Sequence, residues 1–167
     1  WYTNAAGRKH NPVYGFGVVN ASAAVLMSYQ FASLPDLQRI ELASVSYNAP
    51  ITAPNATTVA QTVDADLVVH RVEVYVDISH DHRGDVAMYV ESPAGTTLPI
   101  AVFVPRSVFA QQYGYVVTSA FVAHTHLAVG FWGESSLGVW KFHALTNQDP
   151  GTLRAVRFSF EGVPTAP

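Results

Sequence analysis

Val72, Val74, Val76 and Ile78 alternate with Arg71, Glu73, Tyr75 and Asp77. An apolar side chain at every second position gives a strand one face for a core and one for water. A helix cannot use that pattern, because its faces repeat at three and four residues. The same period returns three times. Val86, Met88 and Val90 alternate with Asp85, Tyr89 and Glu91; Trp140, Phe142 and Ala144 with Lys141 and His143; Val156, Phe158 and Phe160 with Arg154, Arg157 and Ser159. Turn-forming residues separate the runs: Arg83-Gly84-Asp85, Ser92-Pro93-Ala94-Gly95, Glu134 to Gly138, and Asn147 to Gly151. Short strands joined by turns, with no helical stretch between them, predict an all-β domain, an antiparallel β-sandwich or jelly roll. Trp140 falls on its inner face.

The chain before Pro35 obeys a different period. Residues 3–17 are dense in Gly, Asn and Pro and predict turns and extended backbone. Asn20 then precedes ASAAVLMSYQFAS, which contains no Gly or Pro. Asn20 is suited to capping the first turn of a helix there, and Pro35 to stopping it. Ala21, Ala24, Val25, Leu26, Met27 and Phe31 make that helix apolar on nearly every side, so it demands burial on more than one face. The Thr-, Ala-, Pro- and Asn-rich residues 38–64 suggest a linker leading into the first strands. The domain reading is therefore 1–34 as loop plus one short helix, 35–64 as linker and first strand region, and 65–163 as the sandwich.

Composition removes several functions. The 167 residues carry a net charge of −3 and no run of Lys or Arg, so the footprint of nucleic-acid binding is missing. No apolar run is long enough to span a membrane. Without cysteine there is no thiol catalysis, cysteine-based zinc site or disulfide. Sequons stand at Asn20-Ala21-Ser22 and Asn55-Ala56-Thr57. No signal peptide is visible in these residues, and Trp1 in place of Met suggests a start inside a longer protein.

The chemistry-bearing candidates compete with structural readings. Gly133-Glu134-Ser135-Ser136-Leu137 approaches a nucleophile elbow but lacks the second Gly and lies between strand patterns, where a turn is expected. His80-x-His82 and His124-x-His126 each place two imidazoles on one side of an extended chain, a spacing that suits zinc if the pairs meet. Asp77, Asp81 and Asp85 are carboxylates of the kind calcium takes; they do not form a helix–loop–helix calcium loop, since His82 stands where its Gly belongs. Arg83-Gly84-Asp85 is either a cell-adhesion tripeptide on a loop tip or a turn. Phe131, Trp132, Trp140 and Tyr115 are either a sugar-stacking platform or core.

Taken in order, VEVYVDISHDHRGDVAMYVESPAGT, FWGESSLGVWKFHAL and PGTLRAVRFSFEG resemble the P domain (P/Homo B domain) of kexin- and furin-type proprotein convertases. The motifs that carry the resemblance are Arg83-Gly84-Asp85, Ser92-Pro93-x-Gly95-Thr96, Trp132-Gly133-Glu134 and Gly138-x-Trp140. NAAGRKHNPVYGFGVVNASAAV is similar to the end of the subtilisin-like catalytic domain of the same proteins. The resemblance covers about 1–34 and 65–163. Asn20 replaces the family's usual Asp, the apolar 99–131 segment departs from its pattern, and the cysteine pair of some animal members is absent. The resemblance implies a chain without catalytic residues, whose parent is a subtilisin-like serine endopeptidase in the secretory pathway or outside the cell. The module's partner would be that catalytic domain, met through Tyr14, Phe16, Val25 and Leu26. Its job would be to stabilise the protease and tune its calcium and pH dependence. No cofactor is required, and a structural calcium at Asp77, Asp81 and Asp85 is the one candidate. The alternative is an independent secreted β-sandwich that binds protein or glycan.

Overall fold

The computed structural model describes residues 1–31, 33, 35–104 and 121–165. A short hairpin comes first, β1 (Tyr2–Thr3) with β2 (Lys9–His10), followed by helix α1 (Ala21–Ser28). Nine further strands follow: β3 (Gln38–Glu41), β4 (Val45–Ile51), β5 (Thr57–Val63), β6 (Leu67–Ser79), β7 (Val86–Glu91), β8 (Thr97–Ala101), β9 (Phe121–Ala128), β10 (Gly138–Thr146) and β11 (Gly151–Pro164). They pair antiparallel into two sheets. One runs β5-β10-β7-β8; the other runs β3-β11-β6-β9, with β4 also paired to β11.

The alternating runs sit where their period requires. Val156 pairs with Val76, Phe158 with Val74 and Phe160 with Val72 in one sheet. Phe142 pairs with Val90 and Ala144 with Met88 in the other. All of these residues are buried, together with Trp140 and Phe131. The indole N–H of Trp140 donates to the Ser136 carbonyl at 2.8 Å, so its polar atom is satisfied inside the core.

The order of strands corrects two expectations. Residues 38–64 are not a linker: β3, β4 and β5 lie there, the last alternating in burial like the others. Thr, Ala and Gln hid the pattern, because the inward positions Val59, Gln61 and Val63 include a polar residue. Gln61 has a specific task. β3 pairs with β11 from Ser159 onward and β4 up to Val156, which leaves a break in that edge of β11. Across the sandwich, Gln61 Nε2 donates to the Val156 carbonyl at 2.9 Å and its Oε1 accepts from the Phe158 N–H at 3.3 Å. The side chain thus takes the place of the missing strand.

The second correction concerns Arg83-Gly84-Asp85. It does not close a hairpin, because β6 and β7 belong to different sheets. The segment is an arch, a 3₁₀ turn that carries the chain over the core. Two inward-facing alternations are satisfied equally by strands side by side or face to face, so period alone could not choose between them. Helix α1 is also shorter than expected. Asn20 caps it, accepting from the Ala23 N–H at 2.9 Å, but it ends at Ser28 well before Pro35. None of its residues is buried, so α1 lacks the packing among the described residues that would extend it past the aromatic Tyr29.

Candidate functional site

Two places gather the motif residues. The first is the arch. His80, 5% exposed, accepts the His82 N–H at Nδ1 (3.0 Å). Its proton therefore sits on Nε2, which donates to the Asp149 carbonyl at 2.7 Å. Both ring nitrogens are engaged, which leaves neither for a metal. Gly84 passes so close to Val104 that a Cβ there would lie 2.9 Å from the Val104 carbonyl oxygen, whose own N–H donates to the Gly84 carbonyl at 2.8 Å. Asp85 is 1% exposed, so the tripeptide is not presented to a receptor.

The expected calcium set does not assemble. Asp77 lies on β6 with Arg154 at 3.8 Å, and Asp81 is exposed on the arch. Among the described residues the side chains that could share an ion are His82, Asp85 and Asp149. One imidazole and two carboxylates are a poor match to calcium, which takes six to eight oxygens. The histidine pairs do not join either: His124 and His126 meet edge to face with ring centroids 5.2 Å apart, outside that group. Burial, followed by His124 and Arg83, holds His126 below the ordinary histidine value of 6.5.

The second place is a dock for the N-terminal hairpin. Asn4 begins a turn closed by the Gly7 N–H on its carbonyl (2.9 Å), and Gly7 takes the positive φ that this turn needs. The Asn4 amide donates to the carbonyls of Gly130 and Trp132, both at 2.9 Å, and its Oδ1 accepts from the Arg8 N–H. Ala5 donates its N–H to Glu134 Oε1 at 3.0 Å and to Thr96 Oγ1 at 2.9 Å. The Thr96 hydroxyl in turn donates to Glu134 Oε1 at 2.5 Å. The guanidinium of Arg8 lies 4.1 Å over the Trp132 ring. Gly133 has no Cβ to obstruct Arg8, whose Nε would otherwise lie 2.6 Å from it. Phe16 meets the edge of Trp132 at 5.1 Å.

This geometry gives the signature residues roles. Ser92 and Thr96 close their loop on each other, Ser92 N–H to Thr96 carbonyl at 2.9 Å and Thr96 N–H to Ser92 Oγ at 3.2 Å. Gly95 bends it at positive φ, and Pro93 packs under Gly138. The Trp132–Glu134 turn is bonded to Val69 on both sides, Gly133 N–H to the Val69 carbonyl and Val69 N–H to the Glu134 carbonyl. Ser135 donates to Asp66, while Ser136 donates to the Ala65 carbonyl and accepts from the Leu67 N–H. These hydroxyls brace the turn and have no imidazole beside them among the described contacts. Trp140 and Phe131 are core, Trp132 is covered by the hairpin, and Tyr115 lies outside the described residues. Phe16, expected to face a partner domain, faces Trp132; Tyr14, Val25 and Leu26 do point away, 71%, 57% and 69% exposed.

The model of the proprotein convertase P-domain matches residues 69–160. The chain belongs to that family. The Aeromonas extracellular serine protease of Aeromonas sobria is 30% identical over 150 residues, covering 84% of this chain and 24% of the relative. Endoprotease aex-5 of Caenorhabditis elegans is 28% identical over 165 residues, covering 98% of this chain and 27% of the relative. Proprotein convertase subtilisin/kexin type 6 of Rattus norvegicus is 28% identical over 149 residues, covering 84% and 15%. This P domain chain thus spans about a quarter of the length of the first two relatives. The crystal structure of the Aeromonas sobria serine protease with its chaperone superposes with a TM-score of 0.83 over 99% of this chain and 33% of that one, at 24% identity, and shares the fold. No helix among the described residues is long and apolar enough to cross a membrane.

Asn4, Arg8, Gln61 and Asp149 were not legible as functional residues. Asn4-x-x-Gly7-Arg8 is a turn signature, but nothing in it says that the turn is gripped by residues more than a hundred positions away.

Proposed function

We propose that this chain is the non-catalytic P domain, with the last segment of the catalytic domain, of an exported subtilisin-like serine endopeptidase of the proprotein convertase type. The sandwich stabilises the catalytic domain and tunes its calcium and pH dependence. One observation carries this: apolar exposure is concentrated in the N-terminal segment. Tyr14, Val18, Val19, Leu26, Met27 and Tyr29 are each at least 69% exposed, and α1 buries nothing. A helix apolar on nearly every side that buries no residue against the described residues is one whose partner lies elsewhere, and a preceding protease body is the partner that the family supplies. A domain that associates only with the folded protease shifts its unfolding equilibrium.

Calcium dependence reaches the module by the same linkage. An ion that binds the folded catalytic domain, and a sandwich that binds the same folded state, raise each other's apparent affinity. No calcium site within the sandwich is needed. The pH dependence has local contributors in His126 and in Glu91, whose carboxyl is held low by its hydrogen bond from Lys141.

The test is the half-life of proteolytic activity at raised temperature, with and without residues 38–164 in the parent protein. A shorter half-life on removal is expected, with calcium lengthening it less. Equal half-lives would end the proposal.

A further inference from the structure

The hairpin meets the sandwich through both apolar and polar contacts, and burial ranks them. Within residues 1–31, Asn4 is the buried residue, at 4% exposure, while every large apolar side chain there stays at least 40% exposed or lies at the surface of the dock. Each polar atom of its side chain has a partner. The receiving carboxylate is equally enclosed. Glu134 is 4% exposed; Oε1 accepts from Ala5 and Thr96, and Oε2 is buried without a donor among the described residues. Enclosing a carboxylate is costly unless donors face it. One of the two donors on Oε1 arrives with the hairpin. The sandwich alone would keep a less satisfied Glu134, so docking the hairpin stabilises the sandwich, and by reciprocity the sandwich holds the hairpin.

We infer that the Trp132–Glu134 turn and Thr96 form a receptor for the Asn4–Arg8 turn, with Glu134 as its positioning residue, and that the sandwich steadies the protease through this polar lock. The inference rests on the function proposed above. It adds what the receptor selects: an Asn whose amide reaches the carbonyls of Gly130 and Trp132, a following residue with a free N–H, a Gly that turns the chain, and an Arg that lies on Trp132. It also assigns a secondary place to the apolar helix, which sets how much surface is covered but not where the domain is held.

Asn4→Asp in the parent protease tests it. The substitution keeps the size, removes two donors and sets a carboxylate against two carbonyls. Loss of two hydrogen bonds should speed amide exchange at Ala5 by at least about tenfold and leave β6 and β11 unchanged. The half-life of activity should fall by a similar factor. Unchanged exchange at Ala5 overturns the lock. So does faster exchange with an unchanged half-life, provided removal of residues 38–164 shortens that half-life. If removal itself has no effect, the function proposed above fails and the lock fails with it. Should Asn4→Asp also loosen β6 and β11, Arg8→Ala, which acts on the outer face of Trp132, repeats the test with the same two deciding outcomes. Glu134→Gln retains an acceptor without the charge and should speed Ala5 exchange less than Asn4→Asp does; an equal or larger effect would contradict the geometry of the lock.

Discussion

Helix α1 and strand β7 are both built largely from apolar residues, yet the strand buries Val86, Ala87, Met88 and Val90 and the helix buries none. Hydrophobicity is similar; the arrangement of partners is not. β7 lies between β10 and β8 and puts Val86, Met88 and Val90 into the core shared with the other sheet, so its partners are encoded in the same chain. No residue of the helix is buried against the described residues. Apolar content therefore states a demand, and only topology says whether the same chain can meet it.

The largest effect should come from the satisfied side. Trp140→Ala removes the largest buried ring and its bond to Ser136, at about 3–5 kcal/mol by denaturant melting. A cost below about 1 kcal/mol would mean that the core is not packed as described. Gln61→Ala is next. It exposes the break in β11 by leaving the Val156 carbonyl and Phe158 N–H unpaired, at about 1–3 kcal/mol.

Acid should act on the sandwich through His126. Its folded value lies below 6.5, so the unfolded chain takes up a proton as pH falls past 6.5 while the folded chain resists. Stability from this group is complete above that value and declines below it. His126→Gln should flatten the melting temperature between neutrality and mild acid, and an unaltered slope would remove His126 from the pH response. Glu73 and Glu91 act lower. The hydrogen bond from Arg39 depresses Glu73 and that from Lys141 depresses Glu91, so their contribution is lost as pH falls below the ordinary 4.5.

The smallest effect belongs to the unsatisfied side. Leu26→Ser in the isolated chain should change stability by no more than about 0.5 kcal/mol, because Leu26 is 69% exposed. The same change should cut binding of a hydrophobic dye. In the parent protease the cost should rise above about 1 kcal/mol as the face is covered. Equal costs in both settings would show that α1 is never covered.

The sandwich was largely readable, since a period of two with intervening turns leaves few architectures. Sheet membership was not, because Val72–Ile78 and Val86–Val90 fit a hairpin as well as an arch. The strands of 38–64 were obscured by Gln61, a polar residue inward for a reason that exists only after β3 and β4 have separated. The site divided in the same way. Trp132, Gly133, Glu134, Ser92 and Thr96 were visible as motifs; that they converge on Asn4 depends on a contact spanning most of the chain. Asp77, Asp81 and Asp85 are close in sequence, but Asp77 lies on β6 beside Arg154, Asp81 is exposed, and Asp85 is buried near His82 and Asp149.

β11 has a consequence for the order of events during synthesis. It alone joins β3, β4 and β6, and it is the last strand of the sandwich to be made. Until it arrives, the five-stranded sheet lacks its centre, however long the earlier strands have waited. Under the proposed function, a preceding protease domain would emerge and fold before this sheet is complete, and a message truncated before Gly151 would yield that domain without a finished sandwich.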